Sequence, residues 1–241
     1  MAASRFHLAP CGFLAALLVC LAVGTAAAES LRDREIRECQ PGEIITWEDG
    51  TDRPAINSSL TFAYDAAGAP AWFPPALVMD LLARAAAAWS ECGIQASAVA
   101  WGPAVANVPG LVRVRWSEQG SGGNFGLADI GHSTLSLGPK AFELLRTRNP
   151  THDASTTLQM TLSHEMGHLF GLMAHSRRCV DVLSYYHNAR GEKCFARDAE
   201  YAARGIDYRD VLPTACDIAR CRIANRLRPV PPRTAAPGAQ D

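Results

Sequence analysis

The clearest chemistry in the sequence is carried by two histidines and a glutamate in the segment His164-Glu165-Met166-Gly167-His168. On a helix, positions four residues apart lie on one face, so both imidazoles can reach the same Zn²⁺. Glu165 then lies beside the ion, where a carboxylate can take a proton from a zinc-bound water. A chain of this composition would contain the pattern by chance in about one case in a hundred. The segment therefore predicts a zinc site that activates water.

A third ligand is expected after the histidine pair, because a catalytic zinc has three protein ligands and a water. The stretch from His164 reads HEMGHLFGLMAHS, in which Gly171 can end the helix and turn the chain back toward the metal. This stretch resembles the H-E-x-x-H-x-x-G-x-x-H signature of the metzincin zinc peptidases. One residue is extra, so Ala174 stands at the signature's last histidine and His175 follows it. The resemblance implies that His175 is the third ligand.

A second resemblance lies in residues 181–186, which read DVLSYY and are similar to the Met-turn of the same family. Leu183 stands where the turn has methionine, and it follows His175 by eight residues, as the methionine does in matrixin-like members. The letters L-S-Y also resemble the M-S-Y of serralysins, which implies that Tyr185 reaches the zinc or the transition-state oxyanion. A packing role for Tyr185 fits the sequence equally well.

The order of elements over roughly residues 55–200 is also similar to that of a matrixin-like catalytic domain. Gly126-Leu127-Ala128 lies where that family has the edge strand that binds substrate. An edge strand offers unpaired backbone N–H and C=O groups to an extended peptide. The resemblance thus implies a protein or peptide substrate along Leu127 and Ala128, Zn²⁺ as cofactor and metalloendopeptidase activity. Ca²⁺ is compatible with the sequence, but no residue pattern indicates it.

Other residues compete for the third ligand position. His132, His152 and His187 lie outside the zinc segment, and a single histidine is more often a surface or packing residue than a ligand. A gluzincin arrangement would use a carboxylate from a later helix, for which Glu200 is the candidate. The helix end and the spacing of the turn favour His175.

The surrounding elements are typical of an α/β protein. Pro74-Pro75 opens an amphipathic helix that runs to Gly93, and a helix from about residue 155 to Phe170 carries the histidine pair. Apolar patterns predict strands at 60–64, 98–101, 111–116, 125–130 and 134–137. Helices are expected at 198–204 and 209–224, an irregular lead-in at 29–55 and a loop at 176–197. We therefore predict an α/β zincin, in which a twisted mixed sheet has a backing helix, a zinc-binding helix and a short helical C-terminal part.

The N-terminus has the features of a secretory signal peptide over residues 1–28. Arg5 is a positive leading charge, residues 13–23 are an apolar run too short to span a bilayer, and Ala26-Ala27-Ala28 offers a cleavage site. We expect a secreted or periplasmic protein with no membrane span in the mature chain. The catalytic domain is expected at residues 56–228, followed by a disordered Pro/Ala-rich tail at 229–241.

Six cysteines follow the predicted signal peptide, and an even number in an oxidising compartment predicts up to three disulfides. Six cysteines allow 15 sets of pairs, among which the sequence does not decide. Proximity in the chain suggests Cys179–Cys194 and Cys216–Cys221, which leaves Cys39–Cys92 as a long-range bridge.

Composition excludes further classes of function. The chain has 241 residues, of which 48% are hydrophobic, so it is long and apolar enough to form a core. A formal net charge of −1, with scattered Lys and Arg, argues against a nucleic-acid partner. No pattern indicates an oligomeric state. Since the third-ligand spacing is altered and the turn lacks methionine, a catalytically impaired, metzincin-like secreted binding protein is the alternative to a peptidase.

Overall fold

The structure, a computed structural model, describes residues 29–203 and 208–226 around a central sheet. Its strands are β1 (Ser59–Asp65), β2 (Gln95–Ala100), β3 (Leu111–Trp116), β4 (Gly126–Asp129) and β5 (Thr134–Leu137). They lie in the order β2-β1-β3-β5-β4. The first four in this order pair in parallel, and β4 pairs antiparallel to β5 at the sheet edge. All five predicted strands are present, with small shifts at their ends.

Helices surround the sheet and lead to it. They are α1 (Leu31–Arg37), α2 (Pro75–Ser90), α3 (Glu118–Ser121), α4 (Pro139–Arg148), α5 (Ala154–Leu169), α6 (Ala199–Ala202) and α7 (Ala215–Ala224). A 3₁₀ turn at Pro103–Val105 follows β2. The fold is therefore the predicted α/β arrangement of a mixed sheet with a short helical C-terminal part.

Helix α2 is the backing helix, and it joins the sheet to α5. Trp89 on its buried face has no exposed surface. The indole Nε1 of Trp89 donates a hydrogen bond to the carbonyl oxygen of Ser163 at 2.8 Å, and its ring stacks on Phe170 with the centroids 5.4 Å apart. Trp89 therefore belongs to the core and connects α2 to the helix that carries the histidines.

Four helical segments differ from the sequence predictions, and one of them is the four-residue helix α3, which was not predicted. Helix α1 lies in the lead-in expected to be irregular, and at seven residues it is too short to show an amphipathic repeat. Helix α4 was not predicted, although Pro139 marks its first turn. The helix expected at 209–224 begins only at Ala215, because Pro213 disfavours helical backbone before it and Thr214 forms a capping box with Asp217.

Two of the three suggested disulfides are wrong. Cys179–Cys194 is present, but the other pairs are Cys39–Cys216 and Cys92–Cys221. Cys216 and Cys221 both lie on α7, five positions apart. A rise of about 1.5 Å per residue separates their Cα atoms by more than the roughly 7 Å that a disulfide can span, and their side chains point to different sides of the helix. Helix α7 is therefore bridged to two distant segments.

The predicted signal peptide and the predicted tail lie outside the described residues. Within the described ranges, no helix is both long and apolar enough to cross a membrane.

Candidate active site

Three histidine side chains converge where α5 ends and the chain turns back. His164 and His168 come from α5, and His175 comes from the following loop. One ring nitrogen of each lies within 4.8 Å of the others, and the Nε2 atoms of His164 and His175 are 3.3 Å apart. Three imidazole nitrogens at this separation can hold one metal ion, and imidazole is a common zinc ligand.

The hydrogen bonds of these three rings decide which nitrogen of each ring faces the common point, that is, the space between the three histidines. Nδ1 of His164 donates to the carbonyl oxygen of Val182 and Nδ1 of His168 to that of Leu172, each at 2.8 Å. A carbonyl oxygen only accepts, so the proton of a neutral ring is on Nδ1 and the lone pair is on Nε2. Nδ1 of His175 lies 2.8 Å from a carboxylate oxygen of Asp49. All three Nε2 atoms are therefore oriented as in a metal site.

Burial keeps the three imidazoles neutral, which is the form that binds metal. Desolvation lowers the pKa of His164 and His168 and, aided by the neighbouring His168, lowers the pKa of His175 to about 4. The hydrogen bond and charge of Asp49 act in the opposite direction on His175, but burial is the larger effect. The residues present thus fit a Zn²⁺ ion in number, orientation and charge.

Close packing around α5 requires glycine at two positions, one within the helix and one two residues after its end. A Cβ on Gly167 would lie 2.7 Å from Cδ1 of Leu183 and 2.9 Å from the ring of Trp89. A Cβ on Gly171 would overlap the carbonyl oxygen of Arg53, and this residue has a φ of +99° that favours glycine. Leu183 thus packs directly against the helix that carries His164 and His168.

The loop that carries His175 is held by the segment expected to be an irregular lead-in. The carboxylate of Asp49 accepts hydrogen bonds from both the backbone N–H and the ring of His175. Asp52 accepts from the backbone N–H groups of Met173 and Ala174, and Arg220 on α7 binds Asp52 through two nitrogens at 2.6 Å. Sequence analysis missed both aspartates, and no local spacing connects them to a histidine more than a hundred residues away.

The turn that follows is held by α7. Asp217 accepts a hydrogen bond from the backbone N–H of Val182 at 2.9 Å, and the carbonyl of Val182 is the acceptor for His164. Burial raises the pKa of Asp217 to about 7, with a further contribution from the neighbouring carboxyl of Asp181. Asp181 accepts hydrogen bonds from Ser176 and Thr214 at 2.6 Å and pairs with the buried Arg178. Helix α7 therefore supports two of the three histidines through intermediate residues.

Glu165 lies next to the histidine cluster and under the edge strand. Its Oε2 accepts a hydrogen bond from the backbone N–H of Ala128 at 2.9 Å. Burial raises the pKa of Glu165 to about 7, and the hydrogen bond from Ala128 opposes this rise. Strand β4 passes so close that a Cβ on Gly126 would lie 2.5 Å from Thr161 and 2.9 Å from Glu165. The N–H of Ala128 thus faces the cleft, and Leu127 is 43% exposed.

A cleft of about 870 Å³ joins these groups. It is lined by Leu127 and Ala128 on β4, by α4, by the histidines and Glu165, and by Tyr185. The ring of Tyr185 stacks on His175 with the centroids 3.9 Å apart, and burial raises the pKa of its hydroxyl to about 12. Tyr185 therefore packs on His175 and also forms part of the cleft wall, and this position is compatible with both roles that the sequence left open.

The competing candidates lie elsewhere. Among the described residues, the other group with metal-ligand spacing is Cys39, Glu43 and Cys216, in which both cysteines are in a disulfide. His132 is bound to Asp129, His152 to Thr157 and His187 to the carbonyl of Asn188. None of these three histidines, nor Glu200, joins the cluster.

Comparisons with known proteins give distant likenesses. No family model matches this chain, and no curated protein matches it. One similar solved structure is the GM1-bound form of the ECX AB5 holotoxin, at 14% identity and a TM-score of 0.47, covering 78% of this chain and 91% of that chain. Another is a zinc-dependent peptidase from Methanocorpusculum labreanum (strain Z), at 12% identity and a TM-score of 0.39, covering 69% of this chain and 100% of that chain. A function must therefore be inferred from the site itself.

Proposed function

We propose that this protein is a zinc-dependent metalloendopeptidase of metzincin, matrixin-like type. One observation carries the proposal. His164, His168 and His175 each direct Nδ1 to an acceptor and Nε2 to a common point, with Glu165 beside them in the same cleft. A structural cluster of histidines has no need for this shared orientation, whereas a metal site depends on it.

The three histidines would hold Zn²⁺ through Nε2. The chemistry that Zn²⁺ supplies in such a site is polarisation of a carbonyl and activation of a water. Glu165 has the role of general base. Its Oε2 accepts from Ala128, so we assign the proton transfer to Oε1, which takes the proton of the attacking water and passes it to the leaving amine. Tyr185, on the cleft wall beside His175, is the candidate for stabilising the oxyanion.

The substrate would lie extended along β4. This strand is the edge of the sheet, so the backbone groups on its outer side have no strand partner. The N–H of Ala128 already donates to Glu165, so a peptide beside Leu127 and Ala128 would bond to the other outer groups, with its scissile carbonyl facing Glu165 and the histidines. Backbone pairing of this kind suits a protein or peptide substrate.

We also propose that the protein works outside the cytoplasm, either secreted or in the periplasm. Three disulfides among the described residues fit an oxidising compartment. The signal peptide predicted for residues 1–28 would deliver the chain there.

The test compares the purified protein with Glu165→Gln on a broad peptide library, with zinc content measured for both. We expect one Zn²⁺ per chain in both proteins, and a fall in turnover of about 10²- to 10⁴-fold in the variant, because only the proton acceptor is lost. Equal turnover by both proteins would overturn the assignment of Glu165. Stoichiometric zinc without cleavage by the unaltered protein would instead support the catalytically impaired binding protein.

A further inference from the structure

One face of helix α4 lines the cleft with three apolar residues and one arginine. Its residues Ala141, Leu144, Leu145 and Arg148 line the cleft and are spaced as i, i+3, i+4 and i+7, so they form one stripe on the helix. Leu144 is 47% exposed although it is apolar. The helix is fixed from its other side by Phe142, which is fully buried and packs edge-to-face on Phe73 and Phe125. The stripe is therefore a rigid, partly apolar wall that ends in a cation.

The charges of the cleft have one dominant sign. Its lining contains two guanidinium groups, those of Arg148 and Arg209, and a single carboxylate, that of Glu165. Arg209 donates to the carbonyl oxygen of Ser184. Among the described residues no carboxylate lies within 4 Å of Arg148, although many other arginines of the chain have such a partner. A ligand with negative charge would complement this wall.

We propose that the cleft selects acidic peptides, and this proposal rests on the function proposed above. The Asp or Glu side chain of the peptide pairs with Arg148, and a neighbouring bulky apolar side chain lies against Leu144 and Leu145. Met160, from the first half of α5, lines the same cleft and adds apolar surface. Lys or Arg at the same position of the peptide is repelled by Arg148.

The test uses a series of peptides that differ in one charge. A single Glu, Gln or Lys is moved along an otherwise neutral sequence that contains one leucine. Cleavage is measured with the unaltered protein, and binding is measured by fluorescence anisotropy with zinc-loaded Glu165→Gln. At the best position we expect kcat/KM and affinity to be about fivefold higher for Glu than for Lys, as for an ion pair with the exposed Arg148. At an ionic strength of about 1 M, where the screening length is about 3 Å, the preference should largely disappear.

The decisive variant is Arg148→Glu, which should reverse the order so that the Lys peptides are preferred. Arg146→Gln is the matched control, since Arg146 is on the same helix but has its guanidinium 4.2 Å from the ring of Trp72, away from the cleft. This control should keep the preference for Glu.

The outcomes separate the two proposals. Equal binding and cleavage of Glu and Lys peptides, or a preference that Arg148→Glu leaves unchanged, would overturn the acidic preference even if the protein is a peptidase. Preferential binding of Glu peptides that depends on Arg148, without cleavage by the unaltered protein, would support the preference and overturn the peptidase.

Discussion

His164 and His168 are held by the helix that carries them, whereas His175 is held by residues far away in the sequence. The spacing of the first two on α5 is enough to place them on one face. His175 instead depends on Asp49, 126 positions earlier, and on the pair of Asp52 with Arg220, 168 positions apart. The same histidine cluster thus combines a pair that follows from local structure with a third member that follows from tertiary structure. Substitutions that affect one part should spare the other.

The largest effect is expected from Arg220→Ala, which removes the contact between α7 and the loop that carries His175. The guanidinium binds Asp52 and also donates to the carbonyl of Ala174. Its loss leaves the partly buried carboxylate of Asp52 without its charged partner, with hydrogen bonds only from the backbone of Met173 and Ala174, which should lower the free energy of unfolding by about 3 kcal/mol. Urea unfolding of the zinc-free protein measures this change. Arg222→Ala, on the same helix but bound to the backbone of Glu91, should cost far less, and equal losses would contradict the role of Arg220.

Asp49→Asn tests the position of His175 more selectively than Arg220→Ala does. The amide keeps the shape of the side chain but has a single, uncharged oxygen acceptor. It therefore cannot replace the two carboxylate oxygens that accept from the ring and from the backbone N–H of His175. We expect zinc affinity to fall by about 10- to 100-fold, as is typical when the outer partner of a ligand is changed. Competition with a chelator measures the affinity. A variant that binds zinc as tightly as the unaltered protein would show that Asp49 does not position His175.

Asp153→Ala alters the helix that carries His164 and His168 and leaves the loop of His175 unchanged. The carboxylate of Asp153 caps α5 by accepting a hydrogen bond from the backbone N–H of Ser155. Its loss should lower the free energy of unfolding by about 1 kcal/mol. Zinc affinity should hardly change, because α5 is long and packed along its length. A large loss of zinc in this variant would show that the pair is less local than its spacing indicates.

The smallest effect is expected for the dependence of stability on pH through Asp52. The hydrogen bond and charge of Arg220, with the N–H groups of Met173 and Ala174, hold the pKa of Asp52 below its ordinary value of 3.8 despite burial. The ionised carboxylate is therefore favoured by folding, so its contribution is complete above pH 3.8 and is lost as the pH falls through the lowered value. We expect the stability difference between the unaltered protein and Asp52→Asn to be constant at neutral pH and to shrink in acid. A difference that does not change with pH would exclude this linkage.

The sequence predicts the parts of the protein that depend on local spacing. The strands, α2, α5 and the pair His164 and His168 follow from apolar periodicity and from i, i+4 geometry. His175 follows from resemblance to a family signature, in spite of one extra residue. Helix α4 could have been found from Pro139 and its apolar stripe, which together mark an amphipathic helix.

The remaining parts depend on contacts that no local pattern contains. Asp49, Asp52 and Asp217 are ordinary acidic residues in the sequence and become supports of the site only when the chain folds. The disulfides of α7 show the same principle, because nearness in the chain favoured the pair Cys216 and Cys221, whereas the helix turns these side chains apart.

The position of α7 late in the chain also has a consequence for biosynthesis. A nascent chain that has passed His175 but has not reached Arg220 lacks the group that fixes the loop of the third histidine. The same helix is joined to the earlier residues Cys39 and Cys92 by bonds that form only under oxidising conditions. The cluster is therefore completed only after translation has passed α7 and the chain has left the reducing cytosol. The peptidase activity proposed above would therefore be absent while the chain is still being synthesised, which would protect the proteins of the cell that makes it.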